Sequence, residues 1–186
     1  RSLCKGPRNG WNDMLGAGGE IWAAGAGGAL LRAAPDAFVR QKVGDAGLRG
    51  IARHGSRGWV VGEGGTIATT VDAGATWSVL TPPTAEDLEA VAAPSADRVV
   101  AVGRAGTLLV SDDGGASWRA NDMTDVDLLS LTFSDAQHGW AGGGASYGET
   151  RAEVLRTTDG GATWQQADLG VWGRVHDLCF IDSSRG

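Results

Sequence analysis

The chain has 186 residues, 42 % hydrophobic and 20 % charged, enough for a globular domain with a sizeable core. Its net charge is −6 and lysine occurs only at Lys5 and Lys42, so it lacks the clustered cations that a nucleic-acid groove needs. No apolar stretch reaches the ~18–20 residues of a membrane helix, while 31 glycines and eight tryptophans beside apolar runs point to many tight turns and an all-β fold.

In chain order, residues 1–10 read as a leader. They open Arg1-Ser2-Leu3-Cys4, with no initiator Met and no apolar h-region, so the start reads as trimmed or processed. Cys4 and Cys179 cannot make a disulfide framework. Either they form one bridge, or one is a thiol in the leader and the other a thiol buried in a strand. A first unit at about 11–43 holds Met14, then Ile21-Trp22-Ala23-Ala24-Gly25, then a shortened turn with Asp36 and with Phe38 in a tryptophan's place. A second, at about 44–83, holds Ile51, Gly58-Trp59-Val60-Val61-Gly62 and Thr70-Val71-Asp72-Ala73-Gly74-Ala75-Thr76-Trp77. Its four β-like runs are 48–53, 58–62, 66–70 and 76–80, separated by glycine turns. A third unit, about 84–124, holds Val91, Val99-Val100-Ala101-Val102-Gly103 and Ser111-Asp112-Asp113-Gly114-Gly115-Ala116-Ser117-Trp118. The fourth, about 125–174, holds Leu131, Gly139-Trp140-Ala141-Gly142 and Thr157-Thr158-Asp159-Gly160-Gly161-Ala162-Thr163-Trp164. Residues 175–186, with Leu178, read as the start of a fifth.

Three landmarks therefore recur in one order at about 40 residues. Trp77 to Trp118 is 41 residues and Trp118 to Trp164 is 46. Four short strands in about 40 residues is the length of a β-propeller blade, and longer than a leucine-rich repeat. The expected fold is an all-β propeller of four-stranded antiparallel blades, four complete plus the first strand of a fifth. The small residues around Ala23, Ala24 and Gly25 suit close packing between blades.

Each aromatic-ended segment reads Ser/Thr-x-Asp-x-Gly-x-Ser/Thr-Trp. The expected structural residues are Thr70, Asp72, Gly74 and Trp77; Ser111, Asp113, Gly115 and Trp118; Thr157, Asp159, Gly161 and Trp164. The physical reason is local. The aspartate accepts N–H groups across the turn, the glycine supplies a backbone angle other residues resist, and the tryptophan folds beneath the hairpin. One or two oxygen ligands per turn are too few for a calcium loop, so no metal and no cofactor is expected.

This motif resembles the Asp-box, or BNR, repeat. The unit from His138-Gly139-Trp140 to Trp164, and Gly58-Trp59-Val60-Val61-Gly62-Glu63-Gly64-Gly65-Thr66-Ile67, are similar to the repeat of the photosystem II stability/assembly factor-like propellers. That resemblance spans roughly 11–186. It implies a seven-bladed propeller of which this chain is part, an extracytoplasmic site (periplasmic, lumenal or secreted), and a protein partner. In a photosynthetic organism the implied role is chaperoning a membrane complex from its lumenal side. Where blades stand open, the remaining blades of the same protein or another subunit are expected to cover them.

Asp boxes also occur in sialidases and other glycoside hydrolases, so a carbohydrate-active propeller is the alternative. By that resemblance a sialidase-like site needs three arginines, a Tyr–Glu pair and an acidic proton donor. The chain has a single tyrosine, Tyr147, and lacks the expected arginine motif. His54, His138 and His176 have no metal spacing and read as turn or surface residues. The glycine runs at 16–19 and 25–28 have no following Lys-Ser/Thr and read as hairpin turns, not phosphate loops. One asymmetry remains. From Trp140 to Val154 is 14 residues where Trp59 to Ile67 is 8, an insertion around Tyr147, Glu149 and Arg151. Loops carry function more often than strands, so this insertion is the candidate partner-binding loop, with a tolerated insertion as the plainer reading. The expected function is a non-catalytic scaffold that binds a protein partner, without nucleic acid and without membrane insertion.

Overall fold

The computed structural model describes residues 11–17, 20–34, 37–81, 83–121, 123–145, 152–167, 170 and 173–178. They form four antiparallel sheets, each of four strands that neighbour one another in chain order. The first sheet is β1 (Trp11–Ala17), β2 (Glu20–Gly25), β3 (Ala29–Ala34) and β4 (Ala37–Lys42). The second is β5 (Leu48–His54), β6 (Arg57–Gly62), β7 (Ile67–Thr70) and β8 (Ser78–Val79). The third is β9 (Leu88–Ala92), β10 (Val99–Gly103), β11 (Leu108–Ser111) and β12 (Arg119–Ala120). The fourth is β13 (Leu128–Phe133), β14 (Gly139–Gly143), β15 (Glu153–Thr157) and β16 (Gln165–Gln166). Cys4, Asp36 and Cys179 lie outside the described residues.

By packing, the chain divides into two compact units, residues 1–91 and 92–186. In the first, β1 and β2 pack against β5. Their shared core joins Trp22, Ala24 and Leu30 to Val43, Leu48, Ile51, Val60 and Ala68, with Leu15 and Trp77 at its margin. The second strands are the most deeply buried, because each lies between two paired neighbours and beneath a neighbouring sheet; Val99 to Val102 and Trp59 to Val61 are all buried.

Short polar links tie successive sheets together at the irregular start of the inner strand. The register shifts between Trp11 and Asp13, and Asp13 reaches across to accept the Ile51 N–H at 3.0 Å. In the second unit the same shift lies between Leu128 and Ser130, and the Ser130 hydroxyl accepts the Leu178 N–H at 2.9 Å. Gly50 holds this position in the second sheet, where a side chain would meet Ala90 Cα at 3.0 Å. A bulge that frees one residue per inner strand thus becomes either a polar staple or a close approach of backbones.

One expectation needs correction. The run 76–80 is strand only over Ser78–Val79, because Thr76 is held in the turn by Asp72. Counted along the ladder Phe38 keeps the place of Trp77, since Trp22, Arg32 and Val39 pair in the first sheet as Trp59, Thr69 and Ser78 do in the second, but it is not seated as Trp77 is. It lies on β4, opposite Ala33, and is 78 % exposed. Ala34 pairs with Ala37, so β3 and β4 join through a two-residue connection that has no room for the eight-residue turn.

Candidate functional site

The three aspartate turns have one geometry. Thr70 Oγ1 donates to Asp72 Oδ1 at 2.7 Å and accepts the Gly74 N–H at 2.9 Å. Asp72 then accepts the Thr76 N–H at 2.9 Å and the Thr76 hydroxyl at 2.6 Å. Ser111, Asp113, Gly115 and Ser117 repeat these four contacts at 2.8, 2.7, 2.9 and 2.5 Å. Thr157, Asp159, Gly161 and Thr163 repeat them at 2.8, 2.9, 2.9 and 2.5 Å. Gly74, Gly115 and Gly161 all take positive φ, +79°, +92° and +88°, which only glycine adopts at low cost.

The tryptophans are less uniform. Trp164 is buried and Trp118 is partly buried, and each donates its indole N–H to the turn glycine's carbonyl at 3.1 Å. Trp77 instead turns its ring against Trp22, centroids 5.7 Å apart and edge-on, and its buried N–H finds no acceptor among the described residues. Trp164 has both, its indole N–H bond and an edge-on contact to Phe133 with centroids 6.1 Å apart, whereas Trp77 has the aromatic contact alone.

These bonds set the carboxyl acidities. The Thr76 hydroxyl and N–H, then the Thr70 hydroxyl, hold Asp72 well below the usual carboxylate range. The Ser117 hydroxyl and N–H bring Asp113 to about 2. Burial by itself would raise Asp159, but the bonds from Thr163 and Thr157 together bring it to about 2. A carboxyl whose folded pKa is depressed adds stability above its unfolded pKa and loses it as pH falls through the folded value. The thermal midpoint should therefore change little from about pH 7 to 5 and fall between about pH 4 and 2. Substituting Asp113→Asn and Asp159→Asn together should flatten that fall. A midpoint whose acid fall is unchanged in the double variant would count against the turns as its source.

At the opposite end of each sheet lies the turn between its own second and third strands. Asp87 Oδ1 accepts the Gly64 N–H at 2.9 Å, and Asp127 Oδ1 accepts the Ala105 N–H at 3.1 Å. Each aspartate precedes an inner strand and ties it to the preceding sheet's turn. Charges gather there. In the first unit Arg49 meets Glu63, Asp87 and Glu89 at 3.3, 3.0 and 3.2 Å. In the second, Asp127 lies 2.6 Å from Arg174 and 3.5 Å from Arg104. Sequence reasoning missed this rim. Its signal was present: Asp87-Leu88 and Asp127-Leu128 stand 40 residues apart.

Tyr147, Glu149 and Arg151 lie outside the described residues. The strands that flank their loop are paired up to Gly143 and Glu153. Glu153 holds the place that Thr66 and Thr107 hold in the tighter turns, where the threonine carbonyl accepts from Gly62 and Gly103. It is buried, and one of its oxygens accepts the Gln166 amide at 2.9 Å. His138 sits in a turn with its Nδ1 2.9 Å from Asp135. Among the described residues no three metal-ligating side chains converge, and no helix is long and apolar enough to cross a membrane.

No protein-family model matches the chain, and no curated protein matches it. Solved structures do. The chain is similar to YCF48 bound to a D1 peptide, at 18 % identity and TM-score 0.66, over 95 % of this chain and 62 % of that one. It is similar to YCF48 from Cyanidioschyzon merolae, at 17 % identity and TM-score 0.66, over 94 % and 62 %. It is similar to an ancestral GH74 enzyme, at 16 % identity and TM-score 0.63, over 90 % of this chain and 25 % of that one. The chain thus spans less than two thirds of the length of each of these proteins. Four antiparallel four-stranded sheets in chain order, together with these likenesses, make the chain a run of β-propeller blades.

Proposed function

We propose that this chain is a non-catalytic Asp-box propeller module that binds a protein partner, in the manner of the photosystem II assembly factor-like propellers. The partner would meet the fourth sheet at its connection between second and third strands, where the sequence carries the insertion at 146–151. The observation that carries this reading is how the repeated motif spends its chemistry. Both oxygens of Asp72, Asp113 and Asp159 are taken up by their own hairpins. The repeated residues therefore build the scaffold and leave recognition to what differs between blades, chiefly the insertion with Tyr147, Glu149 and Arg151. One of the similar structures is YCF48 holding a D1 peptide, which makes a peptide segment the first partner class to try. The site of action on this reading is extracytoplasmic.

A carbohydrate-active propeller is the second reading, favoured by the likeness to a GH74 enzyme.

Cross-linking of the full chain to captured proteins should map contacts to the 143–153 stretch. Tyr147→Ala combined with Arg151→Glu should cut capture by about tenfold, which is about 1.4 kcal/mol. Turnover of chromogenic glycosides, or capture indifferent to the double variant, would overturn the proposal.

A further inference from the structure

The residue that follows each turn aspartate takes a positive φ, +55° at Ala73, +74° at Gly114 and +71° at Gly160. Glycine suits that angle, and two of the three turns use it. The choice has a chemical consequence. It makes Asp113-Gly114 and Asp159-Gly160 the two Asp-Gly pairs of the chain. In such a pair no Cβ crowds the glycine nitrogen, so that nitrogen reaches the aspartate Cγ more readily than any other residue's would. Both aspartates are exposed to water.

The reaction open to such a pair needs no partner but water. The Gly114 nitrogen loses its proton and bonds to Cγ of the neutral Asp113 carboxyl, and a carboxyl oxygen departs as water. The product is a cyclic succinimide. Water then opens the ring at one of its two carbonyls. Opening at Cγ restores aspartate. Opening at the main-chain carbonyl leaves isoaspartate, in which the chain runs through Cβ and Cγ and is one atom longer.

The folded hairpin blocks each step. The Gly114 N–H donates to the Asp97 carbonyl at 2.7 Å and the Gly160 N–H to the Gln137 carbonyl at 2.8 Å. Both acceptors lie in the connection between the first and second strands of the same sheet, so the nitrogen keeps its proton and its direction. Asp113 Oδ1 accepts the Ser111 hydroxyl and the Ser117 N–H at 2.8 and 2.9 Å, and Oδ2 accepts the Ser117 hydroxyl at 2.5 Å. Thr157 and Thr163 hold Asp159 in the same way. Cγ cannot swing toward the nitrogen without breaking these bonds. Both carboxyls, at about 2, are ionised at neutral pH, and a carboxylate has no hydroxyl to release as water.

We propose that Asp113 and Asp159 are latent modification sites, silent in the closed hairpin and converted to isoaspartate once it opens. The conversion is one-way for the turn. A longer main chain and a shorter carboxylate arm cannot span Ser111 to Ser117, or Thr157 to Thr163, as aspartate does. Asp72, followed by Ala73, keeps the same turn at the cost of a left-handed alanine and reacts slowly. The inference goes beyond the partner-binding reading and holds whatever the module binds.

The test ages the full chain at mildly acidic pH, in buffer and in denaturing urea. Isoaspartate is mapped peptide by peptide and by methyl transfer from a protein isoaspartate methyltransferase. Mapping by site is needed because Asn9-Gly10 is a sequence that also forms a succinimide. In urea Asp113 and Asp159 should convert about tenfold faster than Asp72. In buffer both should slow by about tenfold or more, since only the open fraction reacts. Ser117→Ala takes a hydroxyl from Asp113 and should speed Asp113 in buffer by about tenfold, with Asp159 of the same molecules unchanged. Ala73→Gly relieves a left-handed alanine, so the hairpin keeps its fold, and should bring Asp72 in urea to the rate of Asp113. Equal rates in buffer and urea would overturn the hairpin as the guard. No isoaspartate at Asp113 and Asp159 in urea, or an Asp72 that stays slow after Ala73→Gly, would overturn the latent sites. Ser117→Ala speeding Asp159 as much as Asp113 would trace the reaction to opening of the whole chain and overturn the gate in the hairpin.

Discussion

Trp22→Ala should destabilise the chain by about 3–5 kcal/mol, lowering its thermal midpoint by roughly ten degrees. Trp22 is 1 % exposed and is the largest side chain in the core shared by the first two sheets. Its ring lies edge-on to Trp77, with the Arg53 guanidinium 5.2 Å from its centroid. It also fills the space that Gly58 and Gly74 leave open: a Cβ on Gly74 would stand 2.6 Å from the Trp22 ring. Truncation removes this contact area and opens a cavity walled by strands that are already paired, so collapse is limited. It further deprives Glu20 of the indole N–H, a contact of 3.4 Å, although Glu20 keeps Arg32 and Arg53 at 2.7 and 2.9 Å. Trp140 holds the same strand position in the fourth sheet but is only partly buried, with Arg156 6.0 Å from its ring. Trp140→Ala should cost about half as much or less, in proportion to the smaller area hidden from water. Urea unfolding of both variants checks this, and equal losses would mean that seating against the next sheet's turn is not what Trp22 contributes.

Gly62→Ala should be comparably severe, costing about 3 kcal/mol or more, for a different reason. Gly62 ends the second strand with φ at −175°, an extended conformation that any residue adopts. The obstacle is space. A Cβ there would lie 2.0 Å from the Gly47 carbonyl oxygen and 2.9 Å from Leu48 Cα. Both are backbone atoms fixed by the bond from the Glu63 N–H to that same carbonyl, 2.9 Å long, so no flexible side chain can yield. The start of β5 would have to leave β6. Gly143 repeats the arrangement against the Asp127 carbonyl at 1.8 Å, so the close approach belongs to the repeat. Gly64 supplies the contrast. Its φ is +60° and nothing lies within 4 Å of a Cβ built on it, so Gly64→Ala should cost only the left-handed penalty of about 1–2 kcal/mol. Chemical unfolding of the two alanine variants separates crowding from conformational strain. Equal costs would refute the crowding.

Much of the architecture was legible before any coordinates. The blade length, the four strands per unit and the place of each aspartate turn follow from local chemistry. In a turn such as Thr70 to Thr76 the donor and acceptor lie within four residues of each other, so the spacing alone dictates which bonds form. The candidate loop was legible as a length difference, because an insertion shows directly against a repeat. The charged rim was not read, although its two aspartates recur at the repeat spacing, because Arg49 meets Glu89 from 40 residues away. Phe38 keeps the ladder place of Trp77, and only its exposure was not legible. Its spacing to Trp77 matches the repeat, but burial depends on whether a neighbouring sheet covers it.

The amino-acid sequence by itself determined the repeat, the antiparallel blades and the hairpin turns, since each arises from interactions among residues close along the chain. Only the tertiary structure decided which tryptophan is seated and which glycine is crowded. Those properties come from the packing of one sheet on the next, which joins residues roughly one repeat apart and leaves no local pattern to read.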